Sequence, residues 1–142
     1  MEKEQSIFMM KPCGLEKRVL GHGLSELVIG LFVSSGLNIQ TSCSKKLEEA
    51  DIRNLYPILN IPDPVYGEAW KQEVIDHLTS QPVLAYLLEG INAIEKAKII
   101  KNHLRNVFSE PSSYRSKVVE NIAHVPDAEE FSNTYRILFG ES

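Results

Sequence analysis

Apolar and polar positions fall into blocks along this chain, and the period changes from block to block. Ser6-Ile7-Phe8-Met9-Met10 is an apolar run that stops at Lys11-Pro12-Cys13-Gly14, so it predicts a buried strand feeding a turn. From Leu20 the apolar residues recur at Leu24, Leu27, Val28, Leu31 and Phe32, which is helical spacing, and Gly36 is placed to cap that helix. Leu37, Ile39, Thr41 and Cys43 then alternate with Asn38, Gln40 and Ser42, the period of a half-buried strand. Glu48 to Tyr56 reads as a short polar helix. Pro57 to Gly67 reads as a loop, since it holds three of the seven prolines. Trp70, Val74, Ile75 and Leu78 share one face of a second helix that breaks at Thr79-Ser80-Gln81. The continuous apolar run from Pro82 to Leu88 predicts a strand buried on both faces, ended by Glu89-Gly90. Asn92 is placed to cap a further helix with Ile94, Ala97, Lys101 and Leu104 in register. Arg105 to Lys117 reads as a polar loop, Val118 to Ala123 as a last strand and Asp127 to Phe139 as a closing helix. The order predicts an α+β, ferredoxin-like βαββαβ sandwich, an antiparallel sheet covered by helices, as one domain over residues 1–142.

Composition narrows the function classes. The 142 residues are 43% hydrophobic and 24% charged with a net charge of -4, so no basic stripe points to nucleic acid. No apolar run reaches membrane-spanning length and no charged-then-apolar leader opens the chain, so the expected setting is cytoplasmic, away from membranes. Cys13 and Cys43 lack metal-ligand spacing and suit free thiols in a reducing compartment. His22, His77 and His103 have no Cys or His at zinc spacing, and no Walker A, dinucleotide or Gly-x-Ser-x-Gly loop is present. The remaining chemistry lies in Asn121-Ile122-Ala123-His124, just before a turn at Pro126. A neutral imidazole there could serve as nucleophile or proton carrier, although a strand-end histidine taken alone is an ordinary structural residue.

Five segments, in order, resemble the nucleoside diphosphate kinase family. Lys11-Pro12-Cys13-Gly14 after the first strand is similar to the family's Lys-Pro-Asp-Gly turn. Thr79-Ser80-Gln81-Pro82-Val83 through Glu89-Gly90 resembles its Ser-Gly-Pro-Val strand ending in Glu-Gly. Asn92-Ala93-Ile94 resembles the start of the next helix. Glu110-Pro111-Ser112-Ser113-Tyr114-Arg115 sits where the family has Pro-Gly-Thr-Ile-Arg. Asn121 to His124 matches Asn-x-x-His, with Asp127 where His-Gly-Ser-Asp has its aspartate. The resemblance implies a ping-pong transfer of the γ-phosphate from ATP or another nucleoside triphosphate to a nucleoside diphosphate, with His124 as the nucleophile. It implies phosphate contacts from Lys11, Tyr56, Lys98 and Arg115. It also implies nucleoside contacts from Asn121, at the sugar hydroxyl, and from Trp70, stacked on the base. Mg²⁺ would come with the nucleotide, without a protein cage, and a homo-oligomer is the family's habit.

The sequence also departs from the family pattern. Lys98 stands where the family has arginine, keeping the charge but losing the planar fork. Leu104 replaces a phosphate-binding threonine and Cys13 the turn aspartate. The segment between Arg115 and Asn121 is about four residues shorter than the family pattern. His-Gly-Ser-Asp has become His124-Val125-Pro126-Asp127, and the glutamate that orients the family's histidine falls near Thr134, with Glu129 or Glu130 as candidate substitutes. Each lost phosphate donor corresponds to roughly 1–3 kcal/mol, which implies a slower kinase more readily than an inactive one. Two other readings stay open: a catalytically impaired nucleotide-binding or protein-interaction module, and a phosphocarrier serving a protein partner.

Overall fold

A computed structural model describes residues 2–108 and 122–140 of the chain. Strand β1 (Lys3–Met10) runs into a single helical turn, α1 (Pro12–Leu15), and a two-residue hairpin, β2 (Arg18–Val19) with β3 (His22–Gly23). Helix α2 (Leu24–Ser34) leads to β4 (Asn38–Lys45), then α3 (Glu49–Leu55), a 3₁₀ turn (Pro57–Asn60) and α4 (Ala69–Ser80). Strand β5 (Val83–Ile91), helix α5 (Ala93–Phe108), β6 (Ala123–His124), a 3₁₀ turn (Ala128–Glu130) and α6 (Phe131–Leu138) complete it. The main sheet has the order β4-β5-β1-β6 with antiparallel pairing throughout. This is the ferredoxin-like βαββαβ arrangement that the pattern predicts.

Alternation along the central strands explains why helices lie on both faces. Ile7 and Met9 of β1 join Val83, Ala85 and Leu87 of β5 under α3, α4 and α6. Phe8 and Met10 join Tyr86 and Leu88 under α2 and α5. The continuous apolar run of β5 is therefore buried on both sides, as its composition predicts.

Local differences from the sequence reading have physical causes. Leu20 does not enter α2: it sits at φ 51 in the β2–β3 turn, 95% exposed, so one residue of the helical period was fortuitous. The strand predicted from Leu37, Ile39, Thr41 and Cys43 forms, but a register shift between Ile39 and Thr41 reverses its facing. Ile39 packs with the α2/α5 cluster and Cys43 with the opposite one. Gly36 caps α2 as expected. With φ 82 it lets its own N–H reach Val33 O (3.0 Å) and the Leu37 N–H reach Phe32 O (2.9 Å). At the start of α5 the Ile94 N–H donates to Glu4 Oε1, 3.0 Å away on β1, while Asn92 turns the chain at φ 55. Residues Arg105 to Phe108, expected in a loop, are the last turn of α5. The rest of that loop, and the strand expected from Val118 as far as Asn121, lie outside the described residues.

Candidate active site

Two adjacent strand ends place the first pair of site residues. In the β1–β6 ladder Met9 opposes His124 and Met10 opposes Ala123, so Lys11 comes level with Ile122 and its N–H donates to Ile122 O at 2.8 Å. By strand alternation Lys11 and His124 face the same side, toward α3. Gly14 makes the closeness possible. A Cβ there would lie 2.6 Å from Ile122 Cγ2 and 2.9 Å from Ile122 O, so a side chain would push the turn off β6.

Helix α3 brings the third residue. Glu48 and Asp51 form a capping box at its start, and Ile52 and Leu55 bury one face of this mostly polar segment. Its end delivers Tyr56 against His124, with ring centroids 4.9 Å apart and planes tilted by 57°. Lys11 Nζ lies 5.1 Å from the centre of the same Tyr56 ring. Lys11, Tyr56 and His124, distant in sequence, meet at one point.

Their environment sets their charge states. Burial, reinforced by the charges of Lys11 and Lys101, lowers the His124 pKa to about 3, so its imidazole is neutral across the physiological range. Burial lowers the Lys11 pKa to about 8, opposed by Cys13 and aided by Lys101 and Arg105. Burial also pushes the Tyr56 hydroxyl above its ordinary range, so it remains protonated. His124 Nε2 and Tyr56 Oη are both buried and have no hydrogen-bond partner among the described residues. A ring nitrogen enclosed in this way is closed to a ligand, so any chemistry at this imidazole would fall to Nδ1.

Asp127 ties the turn after His124 to helix α5. Its carboxylate accepts a hydrogen bond from Lys98 Nζ, and this contact holds its pKa below the ordinary value. Asp127 also closes a capping box with Glu130, whose Oε1 accepts from the Asp127 N–H at 3.0 Å. Glu130 is therefore engaged at the cap. The position near which the orienting glutamate was sought, Thr134, is buried within α6 at 2% exposure.

The structure places the other expected residues differently. Trp70, which the resemblance would set against a nucleobase, is 6% exposed in the α3/α4/α6 core, and its Nε1 donates to Asp63 Oδ2 at 2.9 Å. Its helical period with Val74 marks core packing here, so its ring is not presented as an open platform. Cys13 lies beside the Lys11 turn with its N–H directed at His77 Nε2, 3.4 Å away, and burial raises its thiol pKa. Leu104 is buried at 3% and offers no donor. Arg115 and Asn121 lie outside the described residues. Lys101, read from the sequence as a position in register along the helix, and Arg105, read as the start of a loop, both act on Lys11 through their charges. Their i, i+3, i+7 spacing from Lys98 was the signal that could have marked them. Among the described residues no three His, Cys, Asp or Glu side chains gather into a metal cage.

Comparison with known proteins gives the arrangement a context. A sequence model of the family described as nucleoside diphosphate kinase matches residues 4–142. The nucleoside diphosphate kinase of Hyperthermus butylicus is 25% identical over 146 aligned positions, covering 99% of this chain and 95% of that protein. The crystal structure of an NDP kinase from Pyrobaculum aerophilum superposes with a TM-score of 0.73 at 20% identity, covering 97% of this chain and 96% of that one. The halophilic nucleoside diphosphate kinase from Halobacterium salinarum, solved in complex with CDP, gives a TM-score of 0.63 at 18% identity over 99% of this chain and 90% of that one. At these identities the two structures speak to the fold, and the family match over residues 4–142 speaks to descent. With Lys11, Tyr56 and His124 converging where the family's motifs fall, this chain belongs to the nucleoside diphosphate kinase family.

Proposed function

We propose that this chain is a nucleoside diphosphate kinase working through a phosphohistidine at His124. The observation that carries the proposal is a neutral imidazole held against Tyr56 beside the buried ammonium of Lys11. The His124 Nδ1 lone pair forms a P–N bond to the γ-phosphorus of a nucleoside triphosphate. The bond from that phosphorus to the β-bridging oxygen breaks, and its electron pair leaves with the diphosphate. In the second half a terminal oxygen of an incoming diphosphate attacks the phosphoryl group, and the P–N electrons return to Nδ1. No proton needs to leave His124 before attack, because burial already keeps it neutral.

Charge develops on the phosphoryl oxygens during both steps, and fixed cations stabilise it best. Lys11 is held by the strand ladder, and Lys98 is held by Asp127. Arg115 at the phosphates and Asn121 at the sugar complete the proposed set. Mg²⁺ carried on the nucleotide would neutralise phosphate charge. A single domain over 1–142, a cytoplasmic setting and a homo-oligomer belong to the same proposal. Among the described residues no helix is long and apolar enough to cross a membrane, and β4 stands at a sheet edge where a second copy could pair.

The buried, unpartnered Nε2 and the buried Leu104 favour a second reading, a nucleotide-binding module with impaired turnover. Incubation with Mg²⁺ and γ-labelled ATP separates the two. Acid-labile label that requires His124, tested with His124→Ala, and that added GDP discharges as GTP establishes the kinase. ATP binding without label establishes the module.

A further inference from the structure

Helix α5 carries positive charge toward the site beyond Lys98. Ala97, Ile100 and Leu104 bury one side of α5 in the cluster that also holds Met10, Ile122, Ala123 and Val125, the residues around His124 and before Lys11. That packing fixes the rotation of the helix. Lys98, Lys101 and Arg105 follow at i, i+3 and i+7, so they form one stripe along the border of the buried side. All three are partly buried, while Ile99, Asn102, His103 and Asn106 on the far side are exposed. Lys98 pins the first turn of the stripe to Asp127, three residues after His124. The whole chain carries a net charge of -4, yet Lys11, Lys98 and Lys101 act on one imidazole, and Arg105 acts on Lys11 and Lys101.

We propose that Lys101 and Arg105 form a second, α5-borne arm of the phosphate clamp, taking over the role left vacant by Leu104. The inference rests on the reading that nucleotide phosphates are bound beside His124. Helix geometry favours it, because Lys101 and Arg105 flank Leu104 on the side toward Lys98, and long side chains from either position can reach past a buried leucine. Electrostatics agree. Burial and the charges of Lys98 and Arg105 lower the Lys101 pKa, while Lys101 and Arg105 in turn lower that of Lys11. Asp127 offsets part of this charge through Lys98 and Lys101, the remaining cations repel one another, and a polyanion relieves that repulsion. A lysine and an arginine also suit a bound diphosphate: the ammonium acts as a point charge and the guanidinium as a planar fork.

The test is ADP affinity by calorimetry, with Mg²⁺ present and absent, for the wild type, Lys101→Met, Arg105→Met and the double variant. Lys101→Arg retains the charge, and Lys96→Met removes a lysine from α5 outside the stripe. Each stripe variant is expected to weaken ADP about tenfold, and the double variant more. Lys101→Arg should stay within about threefold of wild type and Lys96→Met should match it. Thermal midpoints identify any variant that loses its fold, and Lys101→Gln with Arg105→Gln, which also remove the charge, then carry the comparison. Equal ADP affinity in the double variant and the wild type overturns the clamp, while His124-dependent labelling would leave the kinase reading intact. Weakened ADP in the stripe variants of a protein that never labels supports the clamp and removes the kinase. Failure of the wild type to bind ADP removes both.

Discussion

Acidification should destabilise this protein through His124 in particular. The imidazole pKa falls from an ordinary value of about 6.5 in the unfolded chain to about 3 in the folded one. The unfolded state therefore binds the extra proton first. The stability tied to a neutral His124 is fully present above the unfolded value and is lost as pH falls toward the folded one. Between about pH 7 and about pH 5, linkage gives a loss of about 2 kcal/mol from this one group, and less to the extent that water reaches the open ring edge. The figure is insensitive to the folded value, since any folded pKa well below 5 leaves nearly the same unfolded titration. It is large beside a typical domain stability of about 5–15 kcal/mol. The assay is urea unfolding of the wild type and His124→Asn at both pH values. His22, His77, His103 and the carboxylates are common to the two proteins, so the difference of differences isolates His124. The wild type should lose about 2 kcal/mol more than the variant. Equal losses would refute the claim that this imidazole is held neutral by burial.

Further predictions follow from the same residues. The kcat/KM for phosphorylation by ATP should fall as pH rises through about 8, where Lys11 of the nucleotide-free protein loses its charge, and Lys11→Arg should extend the plateau upward; a wild-type profile still flat at pH 9.5 would contradict this. Gly14→Ala should cost about 1–3 kcal/mol in chemical unfolding and slow labelling of His124, since the new Cβ meets Ile122 backbone and side chain; unchanged stability would mean that the turn yields freely. Trp70 is the sole tryptophan, so its emission reports directly on base stacking. Burial in the core predicts little change on saturation with ADP, and strong quenching would return Trp70 to the nucleoside site. Asp127→Ala should lower stability by about 1 kcal/mol, mostly through the lost cap, because its pair with Lys98 is half exposed; thermal unfolding measures it.

The sequence carried the meeting of Lys11, Tyr56 and His124 better than its surroundings, and the difference is physical. Lys11 and His124 are placed by backbone pairing and a close glycine contact, and such devices leave local signatures: a Lys-Pro-x-Gly turn, an Asn-x-x-His strand end. Tyr56 was readable because it closes a helix whose capping box is also local. Trp70 was ambiguous because a core position and a stacking platform produce the same helical period, and only tertiary packing decides between them. The facing of β4 was hidden by a register shift that reverses Cys43 relative to Ile39, which alternation cannot reveal. Lys101 and Arg105 were concealed by a third ambiguity, since charges on a helix border read as solvent-facing until the partner surface is known.

That last ambiguity bears on how far the departures weaken the site. Counted motif by motif, Lys98 for arginine loses the planar fork, Leu104 for threonine removes a phosphate donor, and the engaged Glu130 gives His124 Nε2 no partner. Counted by charge around the imidazole, cations remain in place. Lys11 stands on β1 and Lys98 is braced by Asp127, while Lys101 and Arg105 follow along α5. Electrostatic stabilisation of a phosphoryl group depends on where fixed charge sits and how dry it is, more than on which element supplies it. Orientation of the histidine differs in kind. Tyr56 restrains the ring through packing at 4.9 Å, but packing does not select a tautomer as a hydrogen-bonded carboxylate does. The missing orienting group should therefore appear in kcat for the phosphorylation half-reaction, with nucleotide affinity nearly preserved. Single-turnover labelling set beside ADP affinity separates the two quantities, and tight binding with slow labelling is the expected pattern. Weak binding with fast labelling would mean that the clamp was eroded and that the histidine was not.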